Sequence, residues 1–272
     1  MSEQKEMVKD PVTKELLKEA LTKLGVNNKM IIEVHSRLSA FNYMIGGART
    51  IVDVLMELTD NGGTLLMPTQ VRDNSEPSDW SDPPVSPAVY KAVRSAIPPY
   101  NPVTSDIPNM GEVVKNFRSR EGVVISNHPC VSYAAWGRYA KLLCNRQSIH
   151  FPLSEESPTA RLYEMKGNVL LLGADFDTVT CMHLAEYRCD CRPVQINGVS
   201  IETKEGERKW QKYLDLELDS SAFMKVRSIM AKKNMIRETM LGGCRIQFFS
   251  ASAAIDEATR FLEKSTVYDL YR

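Results

Sequence analysis

Met30-Ile-Ile-Glu-Val34, then His35-Ser-Arg-Leu-Ser39, Gly46-Gly47 and Thr64-Leu-Leu-Met67 mark the stretch whose reading decides the fold. Met30 to Val34 is a short apolar run, as expected of a buried strand. After the loop and the two glycines, Ile51, Val52, Leu55 and Leu58 repeat at helical spacing, and Asn61-Gly-Gly63 ends that helix. Thr64 to Met67 then reads as a second strand, stopped by Pro68. Strand, loop, helix and strand in that order form a βαβ unit, which predicts an α/β domain.

Outward from this unit, Thr13 is placed to cap a helix with apolar residues at Leu16, Leu17, Ala20, Leu21 and Leu24, stopped by Gly25. Between Arg72 and Pro108 the prolines at 77, 83, 84, 87, 98, 99, 102 and 108 leave few backbone donors, so long helices and central strands are not expected there. Asn168-Val-Leu-Leu-Leu172 reads as the clearest buried strand. A helix capped from Asp177 or Thr178 follows, carrying Thr180, His183, Glu186 and Tyr187. Val199 to Tyr213 resembles a hairpin turning near Gly206. Ser221 to Lys232 reads as a helix, Cys244 to Phe249 as a strand, and Ala253 to Lys264 as a final helix capped from Ser250 or Ser252.

The chain has 272 residues, 43% of them hydrophobic and 25% charged, an ordinary globular balance that excludes wholesale disorder. With no internal repeat, low-complexity tract or linker, a single domain over 1–272 is expected. Lys plus Arg equals Asp plus Glu, 34 against 34, which argues against a broad surface for nucleic acid or anionic membrane. The start Met1-Ser-Glu-Gln-Lys-Glu6 has no apolar core and does not read as a secretory signal. No segment reaches the roughly 18 uninterrupted apolar residues that a bilayer span needs. Six cysteines without an export signal read as reduced thiols, hence a cytoplasmic protein. The grouping Cys181, His183, Cys189 and Cys191 does not match structural zinc spacing, so no metal is expected.

Several large enzyme classes lose support because their motifs are missing: the Walker-type phosphate loop, the dinucleotide fingerprint, the G-x-S-x-G elbow and H-E-x-x-H. The pyrophosphate loop of GCN5-like acetyltransferases is missing too.

Five constellations remain. His183 and Glu186, three apart on a helix at a strand end, can meet on one face, the arrangement of a general base with its orienting carboxylate. Asp177 is a second candidate orienter, and a plain surface pair is the alternative reading. His35-Ser36-Arg37-Leu38-Ser39, also at a strand end, can present backbone N–H groups and one cation to phosphate or carbonyl oxygens, or can be a simple turn. Asn109-Met110-Gly111-Glu112 precedes a helix carrying Arg118, and Asn127-His128-Pro129 is extended, with no carboxylate at helical spacing. Ser157-Pro158 is a standard helix start. In the proline-rich segment Asp73, Glu76, Asp79 and Asp82 surround Trp80, either as a solvated acidic loop or as a wall for a cationic substrate.

Taken in order, these segments resemble the aminoglycoside 3-N-acetyltransferase family. Val34 to Ser39, Gly46-Gly-Ala48, Gly63-Thr-Leu-Leu-Met-Pro68, Trp80 with Pro83-Pro84, Asn109-Met-Gly111, His128-Pro129, Ser157-Pro158 and Thr180-Cys-Met-His-Leu-Ala-Glu186 follow the family's pattern from about residue 13 to about residue 265. The resemblance implies a three-layer α/β/α antibiotic N-acetyltransferase fold, not the GCN5-like one. It also implies acetyl-coenzyme A as cosubstrate and a primary amine as acceptor, the 3-amino group of a 2-deoxystreptamine aminoglycoside first among them. His183 matches the catalytic histidine and Glu186 its acidic companion. His35 to Ser39 and Asn109 to Gly111 match the coenzyme A pocket. Asp73, Asp79 and Trp80 are the expected acceptor-binding residues. Arg37 departs from the family's usual serine, and Phe41-Asn-Tyr-Met-Ile45 replaces a glycine-containing stretch.

Three schemes stay open at this level. One is direct transfer in a ternary complex; another is a ping-pong route through Cys181. The third is a coenzyme A-binding protein with another amine acceptor or no transferase activity. A homodimer is the assembly left open.

Overall fold

The structure, a computed structural model, describes residues 7–265. The polar start Met1 to Glu6 lies outside them. In chain order the elements are α1 (Lys14–Lys23), β1 (Ile31–Ser36), α2 (Gly47–Thr59), β2 (Thr64–Pro68), α3 (Tyr90–Ala96), α4 (Gly111–Arg118), β3 (Val124–Ile125), β4 (Tyr133–Gly137) and α5 (Ala140–Cys144). They continue with α6 (Pro158–Glu164), β5 (Asn168–Leu172), α7 (Leu184–Arg188), β6 (Val194–Glu202), β7 (Arg208–Leu216), α8 (Phe223–Lys232), β8 (Arg237–Leu241), β9 (Cys244–Ser250) and α9 (Ala251–Ser265).

Seven strands form one sheet in the order β3-β4-β2-β1-β5-β9-β8, and β6 pairs with β7 as a separate hairpin. β1 runs parallel to both β2 and β5, while the outer strands pair antiparallel. The two-residue side-chain period of a strand then divides the interior. Val169 and Leu171 of β5 enter the core shared with α5 to α9, while Leu170 and Leu172 enter the core shared with α1, α2 and α4. That is the expected three-layer α/β/α arrangement. Strand order reverses beside β1, since β2 lies to one side and β5 to the other. In open α/β sheets such a switch point, at the carboxyl ends of the strands, is where ligands gather.

Most expected elements are present, with informative differences. Thr13 caps α1 by accepting from the Leu16 N–H at 3.3 Å, yet Leu16 itself is exposed; Leu17, Leu21 and Leu24 carry the buried stripe. The helix expected after Asp177 is broken into 3₁₀ turns over Phe176–Thr178 and Thr180–His183 before α7 begins. Its first cap is Asp175, which accepts from the Phe176 N–H, not Asp177 or Thr178. β3, β4 and β8 carry no clear apolar period and are additions to the sequence-level reading.

His128 is a structural residue. Its Nδ1 accepts the N–H groups of Cys130 (3.2 Å) and Val131 (3.0 Å), and its Nε2 lies 3.3 Å from the Ile149 carbonyl oxygen. Burial pushes its pKa down to about 4, so the ring is neutral at pH 7 and matches this bonding pattern. His128→Leu leaves two half-buried N–H groups unpaired. We expect it to lower stability by about 2 kcal/mol or more, read by urea unfolding at pH 7; a loss under about 0.5 kcal/mol contradicts the assigned role.

Candidate active site

Two strand ends build the site. At the first, β1 runs out into a 3₁₀ turn over Leu38–Ala40. The Arg37 N–H bonds the Leu172 carbonyl at 2.8 Å, so the loop stays stitched to the end of β5. The two segments approach so closely that a side chain at Gly173 (φ +71°) would meet Ala40. That close approach is the physical reason for glycine at this position. The second strand end is that of β5, from which the broken turns carry Asp177, Thr178, Thr180 and His183 to the same place. α4 closes the third side, entered through Asn109 (φ +65°) and Gly111 (φ +78°).

Together they enclose a cleft of about 570 Å³. Its walls include His35, Ser36, Arg37, Leu38 and Ser39, the Asn109-Met110-Gly111 turn, Asp177 and His183. Two runs distant in sequence, both assigned above to coenzyme A, thus line one opening together with the assigned base. Arg37 is exposed at this opening, and among the described residues no carboxylate pairs with its guanidinium. Gln70, Val113, Val114 and Ala174 also line it, and sequence reasoning did not single them out.

His183 is 17% exposed, and its Nδ1 lies 2.5 Å from Glu186 Oε2. The pair meets even though a 3₁₀ turn ends at His183, because the chain passes directly into α7 and keeps the three-residue offset on one face. Glu186 is completely buried. Its other oxygen, Oε1, accepts from Arg192 Nε at 2.5 Å and from the Asp219 N–H at 3.0 Å. Arg192 in turn donates to the Asp219 carbonyl at 3.0 Å. A buried carboxylate left without such partners would be costly. The result fixes the imidazole from its Nδ1 side, and among the described residues Nε2 has no hydrogen-bond partner. Asp177 is exposed at the cleft wall, while the carboxylate at Nδ1 belongs to Glu186. Arg192 and Asp219 were invisible to spacing arguments: one lies outside helical register with Glu186, and the other is 33 residues away.

The hairpin adds an acidic zone. Register pairs Asp215 with Gln195 and Tyr213 with Asn197, placing Tyr213 and Asp215 on the buried face of β7. Asp215 accepts from the Tyr187 hydroxyl at 2.5 Å and from the Leu216 N–H at 2.8 Å. Burial pushes its carboxyl up to about 6, against those hydrogen bonds. Asp79 lies within electrostatic reach of Glu76 and Glu217, and its carboxyl is also pushed up by burial. Asp73, Asp79 and Trp80 do not border the cleft of His183. Trp80 Nε1 donates to Ser75 Oγ at 3.0 Å, and Asp73 is exposed. Cys181 is fully buried, with its thiol pushed well up by desolvation and by the Glu33 charge. Among the described residues no cluster of three or more His, Cys, Asp or Glu fits a metal ion, and no helix is long and apolar enough to cross a membrane.

Comparison with known proteins accords with this geometry. The family model for aminoglycoside 3-N-acetyltransferases matches residues 34–263. The chain belongs to that family, a class of acyltransferases, and its fold is not GCN5-like. Among individual relatives it is 36% identical, over 92% of both chains, to the SPbeta prophage-derived aminoglycoside N(3')-acetyltransferase-like protein YokD of Bacillus subtilis (strain 168). The crystal structure of YokD superposes with a TM-score of 0.90 over 97% of both chains. Aminoglycoside N(3)-acetyltransferase VII of Streptomyces paromomycinus is 35% identical over 78% of this chain and 74% of its own. A structure of AAC-IIIb, described as a binary complex with CoASH, is 25% identical, with a TM-score of 0.82 over 94% of this chain and 98% of that one.

The raised Asp215 pKa carries a stability signature. Between about pH 3.8 and 6 the folded state keeps a proton that the unfolded chain gives up, so this group removes stability as pH rises, with the full penalty present above about pH 6. Asp215→Asn keeps an acceptor for Tyr187 and Leu216 but carries no charge. We expect it to be more stable than the parent at pH 8, by at most about 3 kcal/mol, with the gain shrinking towards pH 5. An equal gain at both pH values, or a loss at pH 8, contradicts the assignment.

Proposed function

We propose that this protein transfers an acetyl group from acetyl-coenzyme A to a primary amine, directly and within a ternary complex, with His183 as general base. The observation that carries this reading is the His183–Glu186 pair opening on the same cleft as the His35–Ser39 loop and the Asn109–Gly111 turn. The family's activity and the CoASH complex of AAC-IIIb support acetyl-coenzyme A as donor. The coenzyme lies along the two loops, with Arg37 offering charge to a phosphate.

The amine, its ammonium proton first lost to solvent, attacks the thioester carbonyl carbon through its free lone pair as His183 Nε2 takes a second proton from the nitrogen. The tetrahedral carbon then expels coenzyme A as thiolate, which the same ring can reprotonate. Glu186 stabilises the transient imidazolium. Backbone N–H groups of the loop after β1 would steady the developing oxyanion. Asp177 at the cleft wall is an auxiliary orienting or charge-balancing group.

The acceptor is a polycationic amine, with the 3-amino group of a 2-deoxystreptamine aminoglycoside as the first candidate. The names of the relatives support this choice, as does the acidic zone of Asp79, Asp215 and Glu217 beside the hairpin. Asp73, Asp79 and Trp80 would flank the acceptor's outer rings. Such cations are mostly protonated in water. Acidic neighbours draw them in but hold the very proton that must leave, so a base at the reacting nitrogen is needed. The enzyme acts in the cytoplasm, a reading supported by its free thiols. Cys181 gives the ping-pong route little chemical footing, because a buried, protonated thiol is a poor nucleophile.

Thiol release from acetyl-coenzyme A across a panel of aminoglycosides, linear polyamines and peptide amines tests the reading. Turnover with 2-deoxystreptamine compounds, acetylated at the 3-amino group, is the expected result; coenzyme binding without turnover of any amine contradicts it. His183→Ala should lower kcat by about 10²- to 10⁴-fold while the protein stays folded. Arg37→Ala should raise the KM for acetyl-coenzyme A by about tenfold with little change in kcat, the loss of one charge-assisted contact.

A further inference from the structure

Besides His183 with Glu186, the cleft borders a second histidine–carboxylate pair. Glu33 and His35 are two apart on β1, so their side chains leave the same face of the strand. In register they lie beside Val169 and Leu171 of β5. That face is the one turned to α5–α9, where Ile31, Tyr133 and Cys181 pack. Glu33 is completely buried and His35 is 8% exposed. Glu33 Oε1 accepts from the Tyr133 hydroxyl at 3.3 Å and lies 3.4 Å from His35 Nε2. Apart from that loose approach, Glu33 Oε2 and His35 Nε2 are buried without a hydrogen-bonding partner. Nε2 is thus turned to the carboxylate, and Nδ1 is the ring nitrogen left for the cleft that His35 lines.

The two pairs differ in what balances their charge. Arg192 donates to the Glu186 carboxylate, so cation and carboxylate cancel without a proton on His183 Nε2. Among the described residues, the basic side chain paired with Glu33 is His35 alone. A net negative charge on a unit buried this deeply would be costly. Neutrality therefore asks for one proton more than the Glu186–His183 pair holds. Whether that proton rests on Glu33 Oε1 or on His35 Nε2, Nδ1 carries an N–H. His183 offers the cleft an acceptor, and His35 offers it a donor.

We propose that His35 is a second catalytic residue, whose Nδ1–H donates to the acetyl thioester oxygen, and that the buried Glu33 carboxyl, lacking a cation of its own, sets this role. The inference rests on the acetyl transfer proposed above and assigns a side-chain donor to the oxygen, beside the backbone N–H groups of the same loop. As the amine nitrogen bonds to the acetyl carbon, the carbonyl π pair moves onto oxygen, and that oxyanion accepts from Nδ1–H. When the carbon–sulfur bond breaks, the pair returns to the carbonyl. His35 keeps its proton throughout, so proton removal stays with His183. A fixed donor aimed at charge as it develops, in a site shielded from water, needs no reorganisation during the reaction. Glu33 touches no reacting atom; it is a positioning residue that holds the ring through Nε2, and Tyr133 in turn holds its carboxyl.

Nitrogen-15 NMR of the histidine-labelled protein, with no ligand added, reads which ring nitrogens carry protons; the 4 histidines are assigned by single substitution. His35 should show a protonated Nδ1, and Glu33→Leu should release the ring to a mixture of tautomers. A lone pair at Nδ1 in the parent, or a ring unchanged in Glu33→Leu, overturns the assignment. Infrared spectra of bound acetyl-coenzyme A carrying carbon-13 in its carbonyl then read the contact itself. The stretch should fall below its solution value in the parent and rise again in His35→Ala. In that variant kcat should drop about 10²- to 10³-fold, the scale of one lost oxyanion donor. His35→Asn, whose amide can set an N–H near the place of Nδ1, should recover much of the loss. CoASH lacks the acetyl oxygen and should bind His35→Ala as tightly as the parent. A stretch that His35→Ala leaves in place, or equal losses of CoASH affinity and turnover, overturns the donor role. Ring protonation is read without coenzyme or amine, so this inference and the proposed reaction can fail separately.

Discussion

The Glu186 carboxylate is sealed from water, and the site depends on how that buried charge is held. One oxygen meets His183 Nδ1, while the other takes bonds from Arg192 and from the backbone of Asp219. Leaving such a charge unpaired costs several kcal/mol. The scaffold that satisfies Glu186 therefore also fixes the plane and the free nitrogen of His183. Rigidity at the imidazole follows from packing three chain segments, α7, the turn after it and the turn before α8, around one carboxylate.

The sheet supplies the other half. Because β1 is central and strand order reverses beside it, the loops after β1 and β5 leave the sheet side by side. The hydrogen bond from Arg37 N–H to the Leu172 carbonyl and the tight packing at Gly173 join those loops into one wall. The imidazole carried by the β5 connection and the backbone carried by the β1 connection then face one cleft. Neither connection makes a site alone.

Much of this was legible in the sequence. The Thr64–Met67 and Asn168–Leu172 runs are continuous and apolar because both sheet faces are covered, so their strand character was plain. The His183–Glu186 offset survives a local change from α-helix to 3₁₀ turn, since residues three apart face the same way in either. Less legible were contacts made across long sequence separations. Arg192 and Asp219 hold Glu186 through tertiary folding, and Asp215 becomes unusual only because the hairpin buries it. His128 shows the converse: a histidine that looked chemically available is used up by backbone N–H groups that no spacing rule reveals.

Everything turns on where the acceptor nitrogen sits relative to His183 Nε2. A crystal structure of the His183-containing enzyme with coenzyme A and an unreacted aminoglycoside would test it most directly. The acceptor nitrogen is expected within about 2.6–3.2 Å of His183 Nε2 and on the same side of the ring as the coenzyme sulfur. An acceptor amine bound away from Nε2, or a pantetheine arm that does not run between the 35–39 loop and His183, would contradict it.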